Sequence, residues 1–76
     1  MDKADYSIAA PEERETVIKI LQRNANEIIE QKKVNSPEKL RRLTDSFCER
    51  IRKGEIIHGA DYKLLLNIFQ KKPIKL

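Results

Sequence analysis

Cys48 and His58 are the one thiol and the one imidazole in this chain, and with Asp45, Glu49 or Glu55 they are the raw material for a nucleophile, a base and an orienting group. Neither is well placed for that chemistry. Cys48 falls on the edge of a helical apolar face, where a free cysteine behaves as a small buried hydrophobe. His58 stands in a loop beside Gly59, where it can cap the helix that follows. One histidine and one cysteine fall short of the ligands a closed metal site requires. The only two glycines, Gly54 and Gly59, do not form a phosphate-binding loop. Neighbouring carboxylates such as Glu12 and Glu13, or Glu27 and Glu30, read as solvated helix surface rather than an acid/base pair. No catalytic, cofactor or metal site is expected, and the chain is read as a non-enzymatic protein.

The elements that would position any site are helical. Pro11 suits the first position of a helix, where its missing N–H costs nothing, and Glu12, Glu13 and Glu15 place negative charge at the positive end of the macrodipole. The spacing predicts a first helix over about 11–33, with Ile18, Leu21, Ala25, Ile28 and Ile29 on one face and Val17 and Ile20 widening it. Ser36-Pro37 ends that stretch and starts the next, Ser36 serving as cap. A second helix over about 37–53 carries Leu40, Leu43, Phe47 and Ile51 at spacings of three and four. Its outer surface alternates in sign, and Glu38–Arg42, Arg41–Asp45 and Glu49–Lys53 are expected to pair one turn apart. Gly54 takes the left-handed position after the helix. The short connection turns Ile56 or Ile57 into the core, and a third helix runs over about 60–71 until Pro73 stops it. No segment shows strand alternation. Residues 1–10 read as a flexible N-terminal arm and residues 11–76 as a single helical domain.

Length bounds the rest. A chain of 76 residues buries only roughly 60% of its unfolded surface, so its stability is marginal, and self-association or a partner would add to it. A single cysteine excludes an internal disulfide and fits a reducing compartment, so a cytoplasmic location is expected. No run approaches the roughly 18 apolar residues of a membrane span, and Met1-Asp2-Lys3-Ala4-Asp5 is too polar for a secretory signal. The net charge of +4 is uneven: residues 1–36 hold six Lys/Arg against seven Asp/Glu, and residues 37–76 hold ten against five. That excess speaks to association with nucleic acid, an acidic protein surface or anionic lipid more than to fold.

Two binding surfaces follow from helix three. Wound at about 100° per residue, Tyr62, Leu65, Leu66 and Phe69 form one stripe, and Leu64 and Ile68 widen it to roughly 200°, more than a surface helix needs. Surplus apolar area rimmed by lysine has the character of an interface. The expected partner-binding residues are therefore Tyr62, Lys63, Leu64, Asn67, Ile68 and Lys71, with another protein or a second copy as occupant, unless helix one covers the patch. The alternative is a small basic DNA- or RNA-binding protein. Lys63, Asn67 and Gln70 share one face of helix three and would meet base edges, while Arg41, Arg42, Arg52, Lys53, Lys71, Lys72 and Lys75 approach phosphates.

Ile51-Arg52-Lys53-Gly54 followed by His58-Gly59-Ala60-Asp61-Tyr62-Lys63-Leu64-Leu65 resembles the C-terminal hairpin of small helical antirepressors that bind AbrB-type transition-state regulators. Glu12-Glu13 ahead of Ile20-Leu21 is similar to their opening helix. The resemblance covers about half the chain and implies a small, often dimeric protein that relieves repression by occupying a transcription factor's DNA-binding surface. Such antirepressors present acidic side chains where this chain is basic. Ile51-Arg52-Lys53-Gly54-Glu55 before a final helix is also similar to the C-terminal region of flagellar anti-sigma factors. Both resemblances imply regulation by binding another protein. The fold expected is an all-α, three-helix domain in which helices one and two pair antiparallel and helix three packs across them, around Leu21, Ile28, Leu40, Leu43, Phe47, Ile51, Leu65, Leu66 and Phe69.

Overall fold

Prolines and left-handed residues divide the chain into its elements. In the computed structural model, which describes the backbone of Tyr6–Ser7 and all of residues 11–76, Pro11–Glu13 is a turn of 3₁₀ helix that leads into α1, Arg14–Glu30. Pro37 opens α2, Pro37–Arg52, and α3 spans Gly59–Phe69. Two short strands accompany them: β1, Tyr6–Ser7, pairs antiparallel with β2, Ile57–His58, with Tyr6 opposite His58 and Ser7 opposite Ile57. This pairing anchors part of the expected N-terminal arm; residues 1–5 and 8–10 lie outside the described residues.

All three helices end in the same way. Lys32 (φ 58°), Gly54 (φ 79°) and Lys71 (φ 56°) are left-handed. Around each of them two backbone bonds close the last turn. Lys33 N–H donates to Ile28 O and Lys32 N–H to Ile29 O; Glu55 N–H donates to Arg50 O and Gly54 N–H to Ile51 O; Lys72 N–H donates to Asn67 O and Lys71 N–H to Ile68 O, all at 2.9–3.1 Å. These are Schellman closures, which satisfy carbonyls the helix would otherwise orphan. Gly54 was legible as such a residue. The two lysines were not, because a side chain in that conformation costs roughly 1–2 kcal/mol and nothing in the sequence marks it.

The helices form an all-α bundle. α1 and α2 run antiparallel, joined at one end by the turn after Lys32 and at the other by Arg52 Nε donating to Glu15 Oε2 at 3.0 Å. α3 returns from the far end of α2, where Arg50 bridges to Asp61 at 3.1 Å, and finishes beside α1, where Asn24 Nδ2 donates to Phe69 O at 3.1 Å. The buried cluster contains Ile18, Leu21, Ala25 and Ile28 of α1, Leu40, Phe47, Cys48 and Ile51 of α2, Leu65 and Ile68 of α3, and Ile57 and Ile74 from the connections. Of the expected core, Leu43 and Phe69 are half-buried against this cluster. Leu66 is half-exposed and lies outside it. Ile68, expected at the surface, has 0% exposure. At about 100° per residue, α3 is turned by roughly 80° from the expected stripe. Apolar residues occupy so much of its circumference that its own periodicity does not select a direction.

Other local expectations also change. Neither Ser36 nor His58 makes a side-chain cap bond; the Ser36 carbonyl accepts Leu40 N–H at 3.1 Å, and the His58 backbone belongs to β2. None of the three expected pairs along α2 is among the ion pairs of the described residues. Those pairs are tertiary: Glu15–Arg52, Glu27–Lys71, Arg50–Asp61 and Arg50–Glu55. An exposed pair one helical turn apart gains only a few tenths of a kcal/mol against the entropy of two long side chains. Hydrogen bonds from Arg52 and Lys71 hold the Glu15 and Glu27 carboxyls below the usual carboxylate range. Their contributions are therefore present above the ordinary carboxylate pKa and are lost as pH falls through the lowered folded values.

Ile68→Ala is expected to destabilise the domain by about 2–5 kcal/mol as a buried truncation, and Leu66→Ala by about 1 kcal/mol or less. Urea unfolding of the two variants distinguishes this rotation of α3 from the opposite one, which would reverse their order. Lys32→Gly relieves a left-handed side chain and should raise stability by about 0.5–1 kcal/mol. In a domain of this size that is a rise of several degrees in Tm; an unchanged or lower Tm would contradict the assigned cap.

Candidate functional site: a groove between α2, α3 and the C-terminal tail

Leu43 lies at one edge of the buried face of α2, with Lys39 and Arg42 further round on the same side. On α3, Leu64 lies at the edge facing them. The third wall comes from the tail, where Leu76 is half-buried against the core. Lys39, Arg42, Leu43, Leu64 and Leu76 line an open groove of about 480 Å³ whose surface is almost entirely carbon. No Asp or Glu side chain belongs to its lining. The groove can take apolar side chains on its floor and anionic groups at its edge.

The tail is held in place by backbone pairing. Ile74 is 3% exposed, its N–H donates to Lys33 O at 2.8 Å, and it forms a parallel bridge with Val34. The Asn35 side chain completes the attachment: Oδ1 accepts Leu76 N–H at 2.7 Å and Nδ2 donates to Leu76 O at 2.8 Å. An amide side chain matches the donor and acceptor of one backbone residue, so Asn35 acts here as a short substitute for a strand. Lys33 Nζ also donates to Lys71 O at 3.2 Å.

The expected partner-binding residues are dispersed by this geometry. Leu64 lines the groove. Ile68 is removed from any surface because it is fully buried. Lys71 is tied to Glu27 at 2.6 Å, and Tyr62 is half-buried against the core on the other side of Leu65. Lys63 and Gln70 are exposed and Asn67 half-exposed, so the polar face of α3 exists as expected. Among the residues expected to approach phosphate, Arg52 is engaged by Glu15 and Lys71 by Glu27, while Arg41, Arg42, Lys53, Lys72 and Lys75 form no ion pair with a described residue. α3 packs against α1 instead of presenting itself as a separate reading helix.

A second concavity, of about 260 Å³, lies between α1 and α2 and is lined by Gln22, Ala25, Asn26, Arg41, Thr44 and Asp45. Thr44 Oγ1 is buried without a hydrogen-bond partner, as is Asn24 Oδ1 deeper in the bundle. Cys48 is buried, and desolvation foremost, then the Asp45 charge, push its thiol above the ordinary range, which disfavours the nucleophilic thiolate. Among the described residues no three His, Cys, Asp or Glu side chains come together as a metal site would require. No helix of the described residues is long and apolar enough to cross a membrane.

Leu43 was legible as an apolar residue but was assigned to the interior. Leu76 carried one signal that sequence reading passed over: Ile74-Lys75-Leu76 alternates with period two, as a half-buried extended segment does. Comparison with protein-family models, with curated proteins and with solved structures finds no match to this chain.

Proposed function

We propose that this protein is a non-enzymatic binding protein whose groove takes an acidic, amphipathic segment of another protein. The observation that carries the reading is the combination of three leucines from three chain segments, Leu43, Leu64 and Leu76, with two cations, Lys39 and Arg42, in one groove. An amphipathic helix laid into a hydrophobic groove is a common mode of recognition, with affinity from the apolar anchors and selection of partner from the charged edge. A two-fold dimer through the same groove is disfavoured, because symmetry would bring two copies of Lys39 and Arg42 into one interface with no Asp or Glu side chain in the lining to offset them. The buried, poorly ionised Cys48 supports a role without catalysis.

A narrower proposal, inhibition or antirepression of a transcription regulator, draws on the resemblance carried by residues 51–65 and by Glu12-Glu13 ahead of Ile20-Leu21. The chemistry of the groove limits how that could work. A DNA-binding surface is basic and does not complement Lys39 and Arg42, so an acidic face of such a regulator is the surface that fits.

Two synthetic helical peptides of about 18 residues, or five turns, test the reading. Both carry the same leucine stripe, one with glutamates opposite and one with lysines. In nitrogen-edited NMR titrations the glutamate peptide is expected to shift the amides of Leu43, Leu64 and Leu76, and Leu64→Asp should weaken it by about tenfold or more, the loss of at least one apolar anchor. Equal binding of the lysine peptide, or shifts confined to other surfaces, would refute the proposal.

A further inference from the structure

The end of the bundle where α1 and α3 finish gathers Lys32, Lys33, Lys71, Lys72 and Lys75 from two stretches that are far apart in sequence. Backbone bonds hold those stretches together: Ile74 N–H to Lys33 O, the Val34–Ile74 bridge, and the Asn35 clasp on Leu76. Between them lies a groove of about 720 Å³ lined by Lys32, Lys33 and Lys75, with Val34, Asn35, Pro73 and Ile74 as its remaining walls. No carboxylate is part of that lining. Glu27 neutralises Lys71, and Lys33 is held by the Lys71 carbonyl. Lys32, Lys72 and Lys75 are exposed and form no ion pair with a described residue. Because the Schellman closures already satisfy the final carbonyls of both helices, these three ammonium groups are not needed as caps.

We propose that this lysine groove binds the phosphodiester backbone of a nucleic acid without reading its bases. Lys32 and Lys75 line the concavity, Lys72 directly precedes its Pro73 wall, and no Asp or Glu side chain belongs to the lining, an arrangement suited to a row of phosphates. Lysine is a point charge without the planar fork that arginine offers to a guanine edge. No aromatic residue lines the groove, so there is no platform on which an unpaired base could stack. An anionic membrane is the less fitting polyanion, because membrane-surface segments combine basic residues with inserted apolar ones. Ile74 is buried, and the exposed large hydrophobic among the described residues, Ile56 at 50%, follows the opposite end of α2. The inference is independent of the proposed protein-binding groove: it uses other residues and its test reads another ligand.

Fluorescence anisotropy with a labelled, mixed-sequence DNA duplex of about 20 base pairs, two helical turns, tests it at about 50 and about 200 mM salt. Three phosphate contacts predict a log–log slope near −2.7, a loss of roughly 40-fold in affinity between the two conditions. Lys32→Gly/Lys75→Ser removes two of the three contacts and should cut that loss to roughly three- to fourfold. The first change replaces a left-handed residue by glycine, so weakened binding cannot be ascribed to unfolding, and a thermal melt checks this. Lys53→Ser/Lys63→Ser, which leaves the groove intact, should keep the steep slope. Absence of binding by the wild-type protein at the lower salt would overturn the proposal. So would a slope that depends on Lys53 and Lys63 but not on Lys32 and Lys75, or tighter lysine-dependent binding to vesicles containing anionic lipid than to the duplex.

Discussion

Burial of Ile74 at the turn between α1 and α2 is the constraint on which both surface grooves depend. The residue sits between two exposed neighbours, Pro73 and Lys75, and only its docking brings the tail against the bundle. Once it is in place, alternation along an extended segment sends Lys75 and Leu76 to different sides. Lys75 then lines the lysine groove and Leu76 lines the groove between α2 and α3. Asn35 fixes the final residue by two hydrogen bonds, so one polar side chain controls the position of an apolar wall.

A domain of this size has little stability to spare, and the structure places its polar ties where helices end. Asn24 reaches the carbonyl of Phe69, Lys33 that of Lys71, and the ion pairs Glu15–Arg52 and Glu27–Lys71 join α1 to the other two helices near their C-terminal ends. Helix C-termini carry unsatisfied carbonyls and partial negative charge, so a donor supplied there serves both needs. The two oxygens left unpartnered inside, Asn24 Oδ1 and Thr44 Oγ1, lie in the middle of α1 and α2. The stabilising polar contacts are thus concentrated at the ends, and the middle is held by packing of Leu21, Leu40, Phe47 and Leu65.

Local signals and tertiary signals were unequally visible in the chain. Pro11, Pro37, Gly54 and Pro73 act on their own backbone, and the limits of the three helices followed from them to within a few residues. Core positions on α1 and α2 also followed, because each has one narrow apolar face. α3 has no narrow face, and whether Ile68 or Leu66 turns inward depends on where α1, α2 and the tail lie. The groove was half visible. Leu64 belonged to the expected surface, but Leu43 and Leu76 became its neighbours only through the packing of both α2 and α3 on α1 and the docking of the tail. The lysine cluster was also half visible: Lys71, Lys72 and Lys75 were expected near phosphate, but Lys32 and Lys33 stand almost 40 positions from Lys71 and become its neighbours only through the bonds at Ile74 and Leu76.

The two proposed sites share more than a dividing strand. Leu76 and Lys75 are consecutive, and both grooves are bordered by cations with no Asp or Glu side chain in either lining. An anionic ligand in one groove would lower the attraction that the other exerts on a second anion to the extent that their charges lie within the screening length, about 8 Å at physiological ionic strength. Thermodynamic linkage makes such an effect reciprocal, the acidic segment weakening nucleic acid by the same factor as nucleic acid weakens the segment. A rigid tail transmits little else, since its attachment is common to both walls. What the docking of Ile74 creates is therefore a pair of neighbouring grooves, each with cationic side chains and no Asp or Glu side chain in its lining, that share no lining residue.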